Sequence, residues 1–450
     1  MSLWTSSDIA NATGGETNAE FSVTGLSIDT RTLQKGDLFV AIKDVRDGHD
    51  FISQAIKAGA SGVLAEKLVD DAPTVVVKGT MAALEALGQA SRERSRALRI
   101  GVTGSVGKTS VKEALSTMFS IFGSTHKSQK SFNNHLGAPI TLAAMPEDTE
   151  YGVFELGMNH AGELRALSNQ VRPNIALITN VFGAHLANFE NVEAIARAKA
   201  EIIEGLEEGG TVILNGDNEH TPLIKALAGD RNILTFGYEA SNDVVIVSTN
   251  SHAMGGNVRL RVGYQQIDVT LAIPGEHWFS NAAACMAVAK AADIDLRKAA
   301  MALRKVGAAQ GRGDAHSLSL GGKPFTLIDE SYNANPTSMR AAFSAAALKQ
   351  GRKVAILGDM GELGADELEF HAGLAKPLEE AGFDRVIVKG ESMRALRGAL
   401  PQKLRAAWTE TIDDAFEALK HEIQEGDVLL VKGSNAAQLG QLVQRLKEGV

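Results

Sequence analysis

A single cysteine, Cys285, rules out a disulfide framework within the chain. It sits in the run Asn281-Ala-Ala-Ala-Cys-Met-Ala-Val-Ala, where a small buried hydrophobe is the expected role. Aromatic residues are scarce at 5%, while Ala, Gly and Val are plentiful. That composition suits α/β layers packed through small side chains. There is no block of Lys and Arg, and 45 basic residues face 54 acidic ones for a net charge of −9. Nucleic acid is therefore not an expected partner, although an anionic ligand needs only local donors. No apolar run is long enough to span a bilayer, and Met1-Ser-Leu-Trp-Thr-Ser-Ser-Asp8 lacks the basic and apolar regions of a signal peptide. The expectation is a soluble, cytoplasmic protein without membrane insertion. A chain that is 44% hydrophobic and 22% charged is not largely disordered, and its 450 residues have room for about three domains.

Residues 1–96 hold short β-like runs at Asp37–Ile42, Gly62–Ala65 and Thr74–Val77, with two short helical patterns. The charged stretch Ser91-Arg-Glu-Arg-Ser-Arg96 is the first expected boundary. From residue 97 to 312, strands at Tyr151–Phe154, Asn174–Ile178 and Thr211–Leu214 alternate with helices, which predicts a mainly parallel sheet. The second boundary falls at Gly311-Arg312-Gly313. Beyond it, over 313–450, Phe325–Ile328, Lys353–Leu357, Arg385–Val388 and Asp427–Val431 predict a Rossmann-like unit.

The most informative stretch is Leu98-Arg-Ile-Gly-Val-Thr103-Gly104-Ser105-Val106-Gly107-Lys108-Thr109-Ser110. A strand, a glycine turn and a helix start make a phosphate cradle, with backbone N–H groups and the positive helix end aimed at the anion. Lys108 is placed to neutralise outer phosphates, and the Thr109 hydroxyl to hold a magnesium ion. The general P-loop has a glycine where Val102 stands, so this loop is a tighter variant.

Other polar residues fall at strand ends, where parallel sheets collect ligands. Glu155 follows Phe154 and is suited to magnesium, although a solvated carboxylate is the plain alternative. His185 follows a strand, but a lone histidine is as often structural. Lys199 shares helical spacing with Ile195, Ile202 and Leu206, which puts an ammonium in an apolar stripe. A neutral amine there can react with carbon dioxide to give a carbamate, an additional ligand for magnesium. Alternatively it snorkels to the helix flank or pairs with Glu201 or Glu204. Asn281 either caps a helix or reads a base edge. Arg312, between glycines, either swings onto a phosphate or lies in an exposed turn. The string Asp329-Glu330-Ser331-Tyr332-Asn333-Ala334-Asn335-Pro336 follows a strand and points to a binding loop.

Taken together, Thr103–Thr109, Phe154-Glu-Leu-Gly157, the His185 loop and Ala198-Lys199 resemble the Mur ligases, in the family's order. Ser131-Phe-Asn133-Asn134-His-Leu-Gly137-Ala-Pro139, Tyr332-Asn-Ala-Asn-Pro336 and Leu357-Gly-Asp-Met-Gly-Glu-Leu-Gly364 are similar to the branch that adds D-alanyl-D-alanine to UDP-N-acetylmuramoyl-tripeptide. Asp29-Thr-Arg31, Gly36-Asp-Leu-Phe39 and Asp47-Gly-His49 resemble the family's uridine-nucleotide domain. The resemblance implies three α/β domains: an N-terminal one for the UDP-sugar, a central P-loop ATPase, and a mobile Rossmann-like C-terminal one. It also implies ATP and two magnesium ions, one held by Thr109 and Glu155 and the other by His185 and carbamylated Lys199. Asn281 would meet adenine, Arg312 the γ-phosphate, and Asp329 or Glu330, beside Tyr332, the ribose. Ser27, Asp29, Arg31, Asn133, Asn134, Asn333 and Asn335 would contact the peptide and sugar substrates. The family often has an Arg where Asn435 stands. A monomer is expected. Rival readings are an amino-acid-adding or folylpolyglutamate-like ligase, a P-loop switch ATPase and a nucleotide-binding regulator that has lost catalysis.

Overall fold

Runs of Val, Ile and Leu that are buried on both faces build the interior strands of three successive sheets. The structure is a computed structural model and describes residues 2–129, 132–183 and 186–449. In the first sheet the spatial order is Glu16–Thr17, Thr74–Val76, Gly62–Ala65, Asp37–Val40, Gly25–Ser27. Only the Glu16–Thr17 edge is antiparallel. The helix Thr80–Arg94 packs against Gly137–Ala143 of the second unit. A Cβ on Gly88 would lie 3.2 Å from the Leu142 side chain and the Pro139 carbonyl, so this crossing uses the missing side chain. The Trp4 indole N–H fixes the same junction by donating to the Ala143 carbonyl at 2.8 Å.

The second sheet has nine strands. Thr125–Lys127, Tyr151–Glu155, Leu98–Thr103, Ile175–Ile178, Thr211–Asn215 and Asn232–Gly237 run parallel in that order. Val244–His252 continues the sheet in parallel, and Gly255–Val262 and Gln265–Leu271 then fold back antiparallel. This meander is absent from the sequence reading. Its strands alternate inward Val258, Leu260 and Val262 with outward Asn257 and Arg259, a weaker signal than a continuous apolar run. Lys108–Phe119, His277–Ala291 and Leu296–Leu303 cover one face, and Glu163–Val171 and Val192–Ala200 the other. Cys285 is fully buried in the first of these layers, as the Ala-rich run predicts.

The third sheet opens with the hairpin Asp314–Leu320 and Lys323–Glu330 and continues in parallel through Val428–Lys432, Lys353–Gly358, Arg385–Lys389 and Arg405–Thr409. It touches the second unit where the Ala187 N–H donates to the Glu362 carbonyl at 3.3 Å. Among the described residues no helix is long and apolar enough to cross a membrane.

In the second sheet, Leu98–Thr103 has Tyr151–Glu155 on one side and Ile175–Ile178 on the other. The chain therefore winds outward in both directions from this strand, and the crevice at its carboxyl end is where such sheets bind ligands. Packing predicts a contrast in stability. Phe343 is 1% exposed and meets Phe383 edge-on at 5.6 Å. Phe343→Ala should cost about 3–5 kcal/mol and lower the calorimetric transition of the C-terminal unit. Tyr264→Ser, at a fully exposed hairpin turn, should stay within about 0.5 kcal/mol of the parent in the same scan.

Candidate active site

Backbone geometry fixes the loop that follows Leu98–Thr103. Gly104 has φ +149° and Gly107 φ +86°, both in the region that favours glycine. A Cβ on Gly104 would stand 1.9 Å from Thr179 Oγ1, so no other residue fits there without rearrangement. Thr179 and Asn180, at the end of the next strand, hold the loop. Thr179 Oγ1 donates to the Val106 carbonyl at 2.7 Å, and the Val106 N–H donates to Asn180 Oδ1 at 3.0 Å. The Ser105 hydroxyl donates to the Phe182 carbonyl at 2.9 Å. The helix Lys108–Phe119 begins directly after Gly107 and aims its free N–H groups into the crevice. Lys108 Nζ folds back onto the Gly104 carbonyl at 2.6 Å. Desolvation lowers its pKa, opposed by the pull of Glu155. Thr103 is buried, its hydroxyl without a partner among the described residues, Thr109 is buried, and Ser110 lines the crevice.

Glu155 ends its strand inside the protein, at 1% exposure. A solvated strand-end carboxylate is thereby excluded. Oε1 accepts from Asn133 Nδ2 at 2.8 Å, whereas Oε2 has no hydrogen-bond partner among the described residues and lies 3.8 Å from Lys112 Nζ. A buried carboxylate oxygen left open in this way is the donor that a hard cation requires. Lys199 is 2% exposed, so it does not snorkel. Glu201 and Glu204 are engaged by Arg165 and by the N–H of Gly162, not by Lys199. Burial, and then the like charge of Lys108, push the Lys199 amine well below the ordinary ammonium range. His185 lies outside the described residues, as does Ser131. Among the described residues no cluster of three or more His, Cys, Asp or Glu forms a ready-made metal cage.

The opposite wall comes from the third unit. The crevice has a volume of about 480 Å³ and gathers Lys108, Thr109, Glu155, Asn281, Arg312, Glu330, Tyr332 and Asn333 around one space. Asn281 is the fifth residue of the helix His277–Ala291, whose N-cap is Glu276, so the capping role is not realised. It is buried and faces Gly107, where a Cβ would be 3.2 Å from its Oδ1. The Arg312 guanidinium stacks on the Tyr332 ring at 4.3 Å. Asp329 and Glu330 point to opposite faces of their strand. Asp329 is occupied by the Ser331 hydroxyl at 2.6 Å and by Lys447 at 3.4 Å. Glu330 faces the crevice and is bonded to Lys432.

Some expected residues act elsewhere. Asn134 Oδ1 accepts from the N–H groups of Leu136 and Gly137, fixing the start of the helix Gly137–Ala143, and Asn134 does not line the crevice. Asn335 lines it but also caps Pro336–Ala347 in a capping box with Ser338. Ser27, Asp29 and Arg31 form their own cluster at the end of Gly25–Ser27, apart from the crevice. There Arg31 makes a two-pronged bond to Asp29, at 2.9 and 2.6 Å, and Ser27 Oγ bonds the Asp29 backbone. Sequence reasoning missed Lys432, His277 and Asn180, all of which line the crevice. Lys432 carries a signal in hindsight, because a lysine closes the apolar run Val428–Val431 at a strand end. Burial lowers the His277 pKa, against the opposing charge of Glu330.

Three family models match in succession: the Mur ligase family catalytic domain over 22–98, the Mur ligase middle domain over 102–289, and the Mur ligase glutamate ligase domain over 317–435. The chain is 35% identical over 451 residues to the UDP-N-acetylmuramoyl-tripeptide--D-alanyl-D-alanine ligase of Escherichia coli, covering 99% of this chain and 98% of that one. It superposes on crystal structure I of MurF from Acinetobacter baumannii with a TM-score of 0.85, 30% identity and 99% coverage of both chains. MurF ligase from Thermotoga maritima in complex with ADP gives a TM-score of 0.78 at 25% identity, covering 95% of this chain and 98% of that one. A phosphate loop at the sheet's switch point, a buried carboxylate with one open oxygen beside it and a second α/β unit across the crevice accompany full-length similarity, and the chain belongs to the Mur ligase family.

Proposed function

We propose that this chain joins D-alanyl-D-alanine to UDP-N-acetylmuramoyl-tripeptide at the expense of ATP, yielding the pentapeptide precursor of peptidoglycan. The observation that carries this reading is the convergence of Lys108, Arg312 and the open oxygen of Glu155 on one crevice walled by two units. Phosphoryl transfer from ATP to a carboxylate brings anions together, so the protein's task is cationic stabilisation and alignment, with no side-chain nucleophile. The tripeptide carboxylate attacks the γ-phosphorus and ADP leaves. The neutral amine of the dipeptide then displaces phosphate from the acyl phosphate to form the amide.

Residue roles follow from position. The loop 103–110 cradles the phosphates, with Lys108 on the outer ones and Arg312 on the γ-phosphate. Asn281, facing Gly107 from a buried helix position, takes the adenine. Glu330, the acid on the crevice side of its strand, takes the ribose, with Tyr332 beside it. Thr109 and Glu155 would hold one magnesium ion and, as the family resemblance implies, His185, which lies outside the described residues, would hold a second with carbamylated Lys199. When bound, these ions neutralise phosphate charge. A neutral, buried Lys199 amine is the form that adds carbon dioxide. A second cavity of about 1030 Å³ shares Thr109, Gly311, Arg312 and Tyr332 with the first and runs along the C-terminal helix Leu439–Glu448. It supports entry of the peptide substrates from that side, with Asn133, Asn333 and Asn335 near the reacting groups. The cluster of Ser27, Asp29 and Arg31 takes the uridine nucleotide. We assign these functions to domains 1–96, 97–312 and 313–450. A switch ATPase would not need the third unit to build its nucleotide wall. Asn-Ala-Asn-Pro at 333–336 favours this dipeptide-adding branch over the amino-acid-adding ligases.

The test is phosphate release with ATP, magnesium, UDP-N-acetylmuramoyl-tripeptide and D-alanyl-D-alanine, leaving out one component at a time. Release that requires all four, with the pentapeptide mass in the product, is expected; release indifferent to tripeptide and dipeptide would replace this reading with a switch ATPase. Lys199→Ala should abolish turnover and Lys199→Glu retain a measurable part. Protein equilibrated with 13C-bicarbonate should show a carbamate carbon resonance that Lys199→Ala removes, and its absence from the parent would dismiss the carbamate. Gly104→Ala forces a side chain into a positive-φ position costing about 1–3 kcal/mol before any clash, so ADP affinity should fall at least about tenfold by calorimetry.

A further inference from the structure

Lys432 and Glu330 end neighbouring parallel strands and stand in register with each other. Lys432 is 2% exposed and closes a strand whose other residues, Val428 to Val431, are apolar and buried. Its Nζ donates to Glu330 Oε2 at 3.0 Å and to the Asn333 carbonyl at 2.9 Å. One ammonium thus ties the end of the strand Lys323–Glu330 to the far side of the loop that carries Tyr332. A buried ion pair of this kind is no better for stability than well-packed apolar residues, because desolvating two charges offsets most of their attraction. Stability therefore does not account for a charged pair at this strand end, whereas a requirement for a fixed carboxylate in the crevice does. Glu330 commits Oε2 to Lys432. Its Oε1 makes no hydrogen bond among the described residues and approaches Gly313, where a Cβ would be 3.3 Å away. A larger residue at 313 would crowd that oxygen.

We infer that Lys432 is a positioning residue for nucleotide recognition, holding Glu330 so that its second oxygen accepts from the ribose hydroxyls and selects ribonucleotides over deoxyribonucleotides. This rests on the reading of the crevice as the nucleotide site with Glu330 at the ribose. Lys432 acts through the carboxylate. With Oε2 anchored, Glu330 does not have to surrender side-chain freedom when the nucleotide arrives, which is how preorganisation becomes selectivity. The same ammonium fixes the Asn333 carbonyl, so the Tyr332 ring under Arg312 is set by the same anchor.

The experiment is calorimetric binding of ADP, 2′-deoxy-ADP and 3′-deoxy-ADP to the full chain, which needs neither peptide substrate nor turnover. A hydrogen bond to a charged acceptor predicts that the parent prefers ADP over at least one deoxy analogue by about ten- to a hundredfold. Glu330→Ala and Lys432→Met should each collapse that preference to less than about threefold, whatever happens to the absolute affinity. The double variant Glu330→Ala/Lys432→Met, which leaves no orphaned charge, should show the same collapsed preference as Glu330→Ala alone. Lys432→Arg should keep most of the preference. If Lys432→Met does not fold, Lys432→Gln takes its place, with an intermediate preference expected and the parental value overturning the proposal. A collapse in Glu330→Ala but not in the Lys432 variants overturns the role of Lys432 and leaves Glu330 at the ribose. A preference that survives Glu330→Ala overturns both. Failure of the parent to bind any of the three overturns the nucleotide reading itself.

Discussion

The crevice depends on positive charge held out of water at the carboxyl ends of two sheets. Lys112, Lys199 and Lys432 are among the largest fully buried side chains of the protein, and Lys108 and Lys432 line the crevice itself. An ammonium in such a place has three physical outcomes: it finds fixed acceptors, loses its proton, or waits for an anionic ligand. Each outcome is represented. Lys112 takes the Ser128 carbonyl at 2.9 Å and Glu113 at 3.0 Å, and Lys432 takes Glu330 and Asn333. Lys199, desolvated by burial and then repelled by Lys108, is driven toward the neutral amine. Among the described residues, Lys108 finds the Gly104 carbonyl as its hydrogen-bond acceptor, a partner that an incoming phosphate readily replaces.

That pattern explains why the surrounding acids are so unequal. Glu113 is pulled below the ordinary carboxylate range by its bonds to Lys127 and Lys112, which outweigh the opposing effect of its burial. Glu155, only 3.8 Å from Lys112, keeps one oxygen open. The chain therefore separates acids that neutralise its own lysines from one that stays available. The separation is made by the backbone: Glu155 ends a strand whose register with Leu98–Thr103 sets its carboxylate beside the phosphate loop.

Much of this was legible in the sequence, and what was not has identifiable causes. The phosphate loop, Glu155, Arg312 and Cys285 are local signals, each decided by residues within a turn of themselves. The parallel strands were readable because both faces are buried, whereas the meander at 244–271 was not, since one wet face thins its apolar pattern. Asn281 left two readings open because capping depends on where a helix starts, and this helix starts one turn earlier, at His277. Asp329 and Glu330 were inseparable as neighbours in a string, although the two-residue period of a strand sends them to different cavities. Lys432 lies 102 residues from Glu330 in the chain and meets it only through strand pairing. No local pattern carries that contact.

A nucleotide held by both units has a thermodynamic consequence. Lys108 and Asn281 belong to one unit, and Glu330 and Lys432 to another, with Arg312 on the segment between them. Any ligand that touches both sets binds most tightly when the two are apposed, and by linkage it favours that apposition to the same extent. The acyl phosphate of the proposed reaction is hydrolysed by water wherever the crevice stays open. An arrangement that uses the stable part of the nucleotide, its base and ribose, to draw the third unit inward therefore protects the unstable group at the other end. In the proposed placement, adenine and ribose contacts on opposite walls would perform that work before the peptide carboxylate reacts, and phosphate contacts alone, all from the central unit and the segment that follows it, would not.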